Sequence, residues 1–448
     1  PNTDVAYLAC AKRLFEHGAA FYPQFATHNA HTIAAIHHLA QGRPFEFQRL
    51  HGMGTDLYAE VIGKEKLDVP CRVYAPVGSH EDLLPYLVRR LLENGANTSF
   101  VNRIVDEATP IRELVADPVE TVRAFDSIAH PRIPQPLALY GADRKNSMGI
   151  NLANGDELRA LTAQIEAVLA KADWRAAPLP AALHKTLKGE THEVRDPADR
   201  RRVVGHVHLA DAAAAERAIA SAVTAQPAWD RLPAASRAAG LEQAADLLEA
   251  RRAEFIALCV REAGKTVPDA ISEVREAADF CRYYAAQGRR LFGQPEALPG
   301  PTGESNQLFL NGRGVFAAIS PWNFPLAIFM GQITAALMAG NAVIAKPAAQ
   351  TRLVGYRAVQ LLHEAGVPAE VLHLLPGHGS VVGAAMTRDP RIAGVVFTGS
   401  TETARLINRT LAARDAAIAE LIGETGSQNA LIADYSALPE KLGKDAIT

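Results

Sequence analysis

The stretch that most constrains the fold of this chain spans residues 314–351 and alternates apolar runs with loops. A strand-like run at 314–320 ends at a Pro-Trp-Asn-Phe-Pro break, and a helix-length apolar segment follows. A second strand-like run at 341–345 then closes on Lys346. This order predicts a βαβ unit, whose loops lie at the carboxyl ends of the strands, where open α/β sheets bind ligands.

Two polar side chains interrupt this apolar stretch, Asn323 and Lys346. A buried amide or ammonium group is costly without a partner, so each needs a compensating contact. Ligand binding is one explanation. A loop-capping asparagine and a lysine that extends its amine to solvent are the alternative, and these two residues alone leave both open.

The length and composition indicate a globular protein of more than one domain. The 448 residues exceed an ordinary single domain, and a net charge of -3 provides no basic surface for nucleic acid. Polar residues interrupt every apolar run before it reaches the length of a membrane span. Four scattered cysteines without a C-x-x-C pair favour a reducing cytoplasm. Because the chain opens without methionine and stops without a terminal element, we interpret it as part of a longer protein.

Residues 1–124 alternate strand-like and helix-like segments. Strand patterns are expected at 21–27, 45–50 and 71–75, and helical patterns at 30–40, 56–63 and 83–94. Such repeats predict a parallel sheet or a (β/α) barrel. Since a full barrel needs about 250 residues, this segment can supply only its last strands.

The helical pattern at 83–94 carries Tyr86, Arg89 and Arg90 within about one turn. Neighbouring guanidinium groups repel each other unless an anion lies between them, and a carboxylate substrate is the natural ligand of such a pair. A solvated basic face is the alternative. The histidines of this segment have no spacing typical of a metal site, so no metal is expected.

Several motifs of this segment occur together: YLVRRLLENGAN at 86–97, preceded by ATHN, LHGMG and YAPVG. They resemble the proline dehydrogenase domain of the bifunctional proline utilization A family. The resemblance implies that Arg89 and Arg90 bind the proline carboxylate, and that three residues enclose its ring: Leu50, Tyr74 and Tyr86. It also implies contacts to FAD from Thr27, His28, Asn29, Gln48 and Glu93.

Residues 125–155 are rich in proline, glycine and asparagine and lack a hydrophobic period, which predicts an ordered linker. Residues 156–448 then begin with amphipathic, alanine-rich helices. A turn followed by a strand is expected at 194–209, and Asp211 is a good cap for the next helix.

Three further motifs follow in order, each at the end of a predicted strand: SPWNFP with AKPA, then FTGS at 397–400, then Glu-Thr-Gly at 424–426. Together they resemble the aldehyde dehydrogenase superfamily. The resemblance implies a Rossmann-like domain that binds NAD without the G-x-G-x-x-G fingerprint, which is missing here. It assigns Ser400 to the pyrophosphate and Lys346 to the adenosine ribose. The cofactor cleft would also be lined by Ile319, Ser320, Pro321, Trp322, Phe397 and Gly399.

Two residues are expected to act in catalysis by the same resemblance. Asn323 can donate its amide to a developing oxyanion, and Glu424 can activate water for thioester hydrolysis. The sequence also departs from the family: Ala349 stands where relatives often have glutamate, and Ser427 replaces a usual glycine. The reactive cysteine of the family follows the glutamate by a few dozen residues, which lies past Thr448.

We therefore predict an internal portion of a bifunctional enzyme of proline catabolism. One part would oxidise proline to pyrroline-5-carboxylate with FAD and pass electrons to a quinone, and the other would oxidise glutamate semialdehyde to glutamate with NAD. A cytoplasmic homo-oligomer, at most peripheral at the inner membrane, is expected. The alternative is a catalytically incomplete scaffold that retains NAD-binding and partner surfaces. A monofunctional aldehyde dehydrogenase with an unrelated extension does not explain the motif at 86–97.

Overall fold

The computed structural model describes residues 2–94, 110–129, 132–186, 191–426 and 431–434. Within these residues the chain forms two compact units, one up to residue 133 together with 431–434, and one from residue 134 to 426. The domain boundaries predicted from the sequence, at 124 and 155, stay predictions. The side chains of Arg89, Arg90 and Glu93 lie outside the described part of the chain.

The first unit contains a three-stranded parallel sheet flanked by helices, as the alternating pattern predicts. Its elements are α1 (Asn2–Glu16), β1 (Gln24–Ala26), α2 (Ala30–Ala40), β2 (Glu46–Leu50), α3 (Thr55–Ala59), β3 (Cys71–Tyr74), α4 (His80–Asn94), α5 (Ile111–Leu114) and α6 (Pro118–Arg123). The sheet order is β1-β2-β3, so strands adjacent in sequence are adjacent in space. The predicted end of the helix at 56–63 is wrong. The helix α3 ends at Ala59, ahead of a turn in which Gly63 has a φ of 115°.

Aromatic side chains form the core of the first unit. Phe45 and Phe47 pack edge to face, with ring centroids 5.1 Å apart, and Phe15 packs edge to face on Phe45 at 5.6 Å. Tyr58, which is fully buried, directs its hydroxyl toward the carbonyl oxygens of Thr27 at 2.8 Å and Gln48 at 3.1 Å. One buried phenol therefore links the carboxyl end of β1 to the middle of β2.

We expect Tyr58→Phe to destabilise this unit by roughly 1–3 kcal/mol, because two buried carbonyl oxygens lose their shared donor. Urea unfolding of the protein that carries this chain measures the change. Tyr22→Phe is the matched control, since the side chain of Tyr22 is half exposed. Equal stabilities of the two variants would contradict the linking role of Tyr58.

The second unit is built around a five-stranded parallel sheet. Its helices are α7 (Gly155–Leu169), α8 (Ala212–Asp230), α9 (Ala234–Ala250), α10 (Arg252–Ala263), α11 (Val267–Phe292), α12 (Ala327–Met338), α13 (Arg352–Glu364), α14 (Ala384–Arg388) and α15 (Thr401–Ala412). Its strands are β4 (Trp174–Ala176), β5 (Thr191–Arg195), β6 (Val203–His208), β7 (Glu296–Leu298), β8 (Asn306–Leu308), β9 (Val315–Ile319), β10 (Ala342–Lys346), β11 (Leu372–Leu374), β12 (Ile392–Thr398) and β13 (Glu420–Glu424). Short 3-10 turns occupy Pro136–Ala138 and Ala181–Thr186, and a π turn occupies Gly379–Gly383.

The five strands have the order β11-β10-β9-β12-β13. Every residue of β9 and β10 is buried, which explains why both strands appear in the sequence as continuous apolar runs. The chain moves outward from β9 through β10 to β11, and then returns to place β12 on the other side of β9. The strand order therefore reverses between β9 and β12, which is where doubly wound sheets bind nucleotides. The predicted α/β fold with a Rossmann-like second part is confirmed.

Smaller sheets complete the second unit. The turn and strand predicted at 194–209 form the antiparallel hairpin of β5 and β6, and β4 pairs with β6 in parallel. The antiparallel ribbon of β7 and β8 was missed, because its short exposed strands have no hydrophobic period. Asp211 caps α8 as predicted, its side chain accepting from the N–H of Ala214 at 2.7 Å.

Candidate active site

A cavity of about 1530 Å³ lies at the reversal of strand order. Nine of the residues predicted from the sequence are among those that line it: Ser320, Pro321, Trp322, Asn323, Lys346, Phe397, Gly399, Ser400 and Glu424. Ile319, also predicted, is the buried last residue of β9 and is not among the lining residues of the described chain. Motifs separated by about a hundred residues therefore converge because parallel strands end at one edge of the sheet.

Gln332, which was not predicted from the sequence, forms hydrogen bonds to both sides of this cleft. Ser320 donates its hydroxyl to the Gln332 Oε1 at 2.6 Å, and the Gln332 Nε2 donates to the Thr398 Oγ1 at 2.9 Å. Ser320 follows β9 and Thr398 ends β12, so the amide bridges the two strands between which the order reverses. Its signal in the sequence is a buried amide in the otherwise apolar helix α12.

Lys346 is the last residue of β10 and is almost completely buried. Its Nζ donates to the carbonyl oxygen of Pro347 at 3.0 Å. Burial and the nearby Arg352 lower the pKa of Lys346 to about 8. Because an ammonium group has three N–H donors, the contact to Pro347 leaves donors for a ligand in the cleft.

The FTGS turn and the Glu-Thr-Gly segment lie side by side. Thr398 pairs with Glu424 in the register of β12 and β13, and the N–H of Gly399 donates to the carbonyl oxygen of Glu424 at 3.0 Å. A Cβ at position 399 would lie 2.6 Å from the ring of Phe397, so any larger residue there would displace this ring. Ser400 then caps α15, its Oγ accepting from the N–H of Thr403 at 3.2 Å.

Asn323 and Glu424 both expose their side chains in this cavity. Asn323 lies in the loop between β9 and α12, and Glu424 is the last residue of β13. An amide donor and a carboxylate therefore face one space, which is the arrangement expected for oxyanion binding and water activation.

Two glutamates, also missed, cap helices that begin at the cleft. Glu262 accepts from the N–H groups of Leu353 and Val354, both at 2.8 Å, at the start of α13. Glu273 accepts from Leu326 at 3.1 Å and Ala327 at 2.9 Å, at the start of α12. Neither helix has a capping side chain of its own. Burial raises the pKa of Glu262 to about 8, against the opposing effect of its two N–H donors.

The cysteines of the described residues contribute no thiol to the cleft. Cys259 and Cys281 are completely buried in the core, Cys10 is exposed and Cys71 is half-buried. Burial raises the pKa of Cys281 to about 12, which disfavours the nucleophilic thiolate. None of the four is among the residues that line the cavity.

In the first unit, the strand register gathers the predicted proline and flavin contacts at one edge of the sheet. Leu50 pairs with Tyr74 across β2 and β3, and Gln48 pairs with Ala26, the residue before Thr27, across β1 and β2. Gln48 also donates to the buried Glu46 at 3.3 Å, which orients its amide. Tyr86 is half-buried within α4.

Two of the predicted flavin contacts also have structural roles. The Asn29 Oδ1 accepts from the N–H groups of His31 at 2.9 Å and Thr32 at 3.4 Å, so this side chain caps α2. His28 packs against Gly54, where a Cβ would lie 2.9 Å from the imidazole and where φ is 63°. Glycine at 54 is therefore required both by its backbone conformation and by the neighbouring histidine.

Comparison with known proteins identifies the families that both parts of the chain resemble. The aldehyde dehydrogenase family model matches residues 184–447, and the proline dehydrogenase model matches residues 1–103. Since the first match covers more than half of the chain, the chain belongs to the aldehyde dehydrogenase family, with a proline dehydrogenase segment ahead of it.

More specific relatives combine both segments. The chain is 50% identical to a bifunctional protein PutA of Klebsiella aerogenes, over 99% of this chain and 34% of the relative. A solved structure of a Bradyrhizobium japonicum proline utilization A mutant is 51% identical, with a TM-score of 0.79, over 99% of this chain and 42% of that one. A 1-pyrroline-5-carboxylate dehydrogenase of Geobacillus thermodenitrificans is 38% identical over 54% of this chain and 47% of the relative. The predicted resemblance is confirmed, and the chain spans about a third of the length of the bifunctional relatives it matches.

The described residues contain neither a membrane-spanning helix nor a metal-ligand cluster. No helix among them is long and apolar enough to cross a membrane. No group of three or more metal-ligating side chains occurs in the same part of the chain.

We predict that NAD binding weakens as the pH rises through about 8, because the Lys346 ammonium group loses the proton that it donates in the cleft. Lys346→Met should weaken binding roughly tenfold at neutral pH and abolish this pH dependence. Titrations of the protein that carries this chain, followed by fluorescence, measure both effects. Lys171→Met, at an exposed lysine away from the cavity, is the control. An unchanged pH profile in the Lys346 variant would contradict the assignment.

Proposed function

We propose that the protein carrying this chain oxidises proline to pyrroline-5-carboxylate with FAD and then oxidises glutamate semialdehyde to glutamate with NAD. The relatives support this pairing, because they include bifunctional PutA proteins and 1-pyrroline-5-carboxylate dehydrogenases. The scaffold alternative is not favoured, because these bifunctional relatives match almost the whole chain at about half identity.

One observation carries the NAD assignment. Three helices begin at the carboxyl edge of the sheet beside the cavity: α12, α13 and α15. A helix N-terminus binds phosphate through its free N–H groups. The first N–H groups of α12 and α13 are already bonded to Glu273 and Glu262, whereas α15 has only the cap of its own Ser400 among the described residues. The pyrophosphate of a dinucleotide therefore fits the start of α15.

The side chains around this position can serve the aldehyde step. NAD, when bound, supplies the hydride acceptor. Lys346 would hold the adenosine ribose, Asn323 would donate its amide to the oxyanion of the thiol adduct, and Glu424 would take a proton from the water that hydrolyses the thioester. Because no cysteine of the described residues lines the cavity, we propose that the thiol comes from outside this chain.

The proline step is assigned to the edge of the first sheet. FAD, when bound, supplies the electron acceptor for proline. Thr27, Leu50 and Tyr74 lie at strand ends, with Gln48 two residues before the end of β2, which suits one side of such a site. Arg89 and Arg90 would bind the carboxylate, with Tyr86 against the ring and Glu93 at the flavin. By the same resemblance, a quinone accepts the electrons, and the protein is a homo-oligomer that associates with the membrane at most peripherally.

For the aldehyde step, we expect Asn323→Ala to lower kcat about 10²- to 10³-fold, with an unchanged Kd for NAD, because the amide acts on the oxyanion in the transition state. NADH formation from pyrroline-5-carboxylate by the protein that carries this chain measures kcat. Asn408→Ala, at an exposed asparagine of α15, is the matched control. Glu424→Gln should instead leave a burst of NADH followed by slow turnover. A wild-type protein that forms no NADH would contradict the proposed aldehyde oxidation.

For the proline step, Arg89→Met and Arg90→Met should each raise the KM for proline roughly tenfold or more, because a charge-assisted pair to the carboxylate is lost. Reduction of a dye acceptor by proline measures this effect independently of NAD. Arg13→Met removes an exposed arginine of α1 and should leave the KM unchanged. A normal KM in both substituted proteins would rule out the paired-arginine site.

A further inference from the structure

Glu262 and Glu273 lie on one helical hairpin that packs under the nucleotide cleft. Gly264, with a φ of 70°, ends α10, and Thr266 caps α11, so the connection between the two helices is very short. Glu262 is 4% exposed and Glu273 is 1% exposed. The hairpin therefore presents two buried carboxyl groups, one to each of the two helices that follow β9 and β10.

The contacts of Glu273 reach the loop that carries Asn323. Its Oε2 accepts the N–H groups of Leu326 and Ala327, and its Oε1 lies 3.0 Å from the Nζ of Lys265. The same Nζ lies 4.5 Å from the centroid of the Phe324 ring, a cation–π distance. The Glu273 carboxylate thus contacts the two residues at the start of α12, and the Lys265 ammonium group contacts Phe324, the residue after Asn323.

We infer that Glu273, acting with Lys265, is a positioning residue for Asn323: it fixes the loop between β9 and α12 so that the exposed amide is held toward the cleft. This inference rests on the proposed aldehyde oxidation. Asn323 is fully within a loop, and an amide that must meet an oxyanion at hydrogen-bond distance gains most from a rigid backbone on either side. The buried end of β9 holds one side of the loop, and the Glu273 cap holds the other.

Glu262 provides a matched comparison, because it makes the same pair of backbone contacts one helix away. It caps α13, which follows the Lys346 loop and not the Asn323 loop. If both glutamates served only the stability of the fold, the same substitution at either position would give the same kinetic result. If Glu273 positions Asn323, the substitution at Glu273 changes mainly kcat, and the substitution at Glu262 changes mainly the Kd for NAD.

Glu273→Gln and Glu262→Gln should be made in the protein that carries this chain. Glu273→Gln should lower kcat for NADH formation by roughly ten- to a hundredfold, with a Kd for NAD within about twofold of wild type. Glu262→Gln should raise the Kd for NAD and keep kcat at saturating NAD. Hydrogen exchange gives a readout independent of activity: the amides of Leu326 and Ala327 should exchange faster in the first variant, and those of Leu353 and Val354 in the second.

If Glu273→Gln does not fold, substitutions of Lys265 test the inference instead, because they keep the two hydrogen bonds from Leu326 and Ala327 to Glu273. Lys265→Met should lower kcat without a change in the Kd for NAD, and Lys265→Arg, which keeps a cation over Phe324, should restore most of it.

Three results would overturn the inference. The first is a wild-type kcat in both Glu273→Gln and Lys265→Met, and the second is an equal loss of kcat in the two glutamine variants. The third is a wild-type protein that forms no NADH, and this outcome rejects the proposed function with it.

Discussion

The cleft of this protein depends on buried carboxyl groups at helix N-termini. Removing a carboxyl group from water is costly, and two N–H donors together with the positive end of a helix dipole offset that cost. At Glu262 the cost of burial outweighs the stabilisation by the N–H donors, since burial still raises its pKa to about 8. Its folded pKa therefore exceeds the unfolded value of about 4.3, so the native state holds a proton that the unfolded chain has released. This group lowers stability progressively as the pH rises from about 4.3 to about 8.

The same contacts decide where a ligand can bind. In a doubly wound sheet every crossover helix after a strand begins at the ligand edge, so several N-termini compete for an anion. Glu273 and Glu262 accept hydrogen bonds at the starts of α12 and α13. Gln332 bonds the ends of the two strands between which the order reverses. We propose that a dinucleotide binds at the start of α15, beside Ser400, where Asn323 and Glu424 face the same cavity. Fold and chemistry are thus linked by a few side chains that hold the helices and strands around the cavity.

Local sequence signals predicted much of this structure. The apolar runs of β9 and β10, the cap at Asp211, and the motifs at strand ends each act over a few residues, so they can be recognised without the fold. Parallel pairing then brings the motifs together, which is why most of the predicted lining residues share one cavity. Strand ends shifted by one to three residues, since pairing and not propensity sets them.

The features that escaped prediction depend on distant partners. Glu273 caps a residue 53 positions away, and Glu262 one 91 positions away, so neither resembles a capping motif in the sequence. Gln332 has a role only because β12 returns beside β9. The roles of Arg89 and Arg90 were predicted from motif similarity and remain proposals.

The most direct test of this account is hydrogen exchange of the protein with and without NAD. We expect NAD to protect the backbone amides of Ser400, Thr401 and Glu402. The amides of Leu326, Ala327, Leu353 and Val354 should be unchanged, because the two glutamates already accept hydrogen bonds from them. Protection at the starts of α12 or α13, with none at the start of α15, would contradict it.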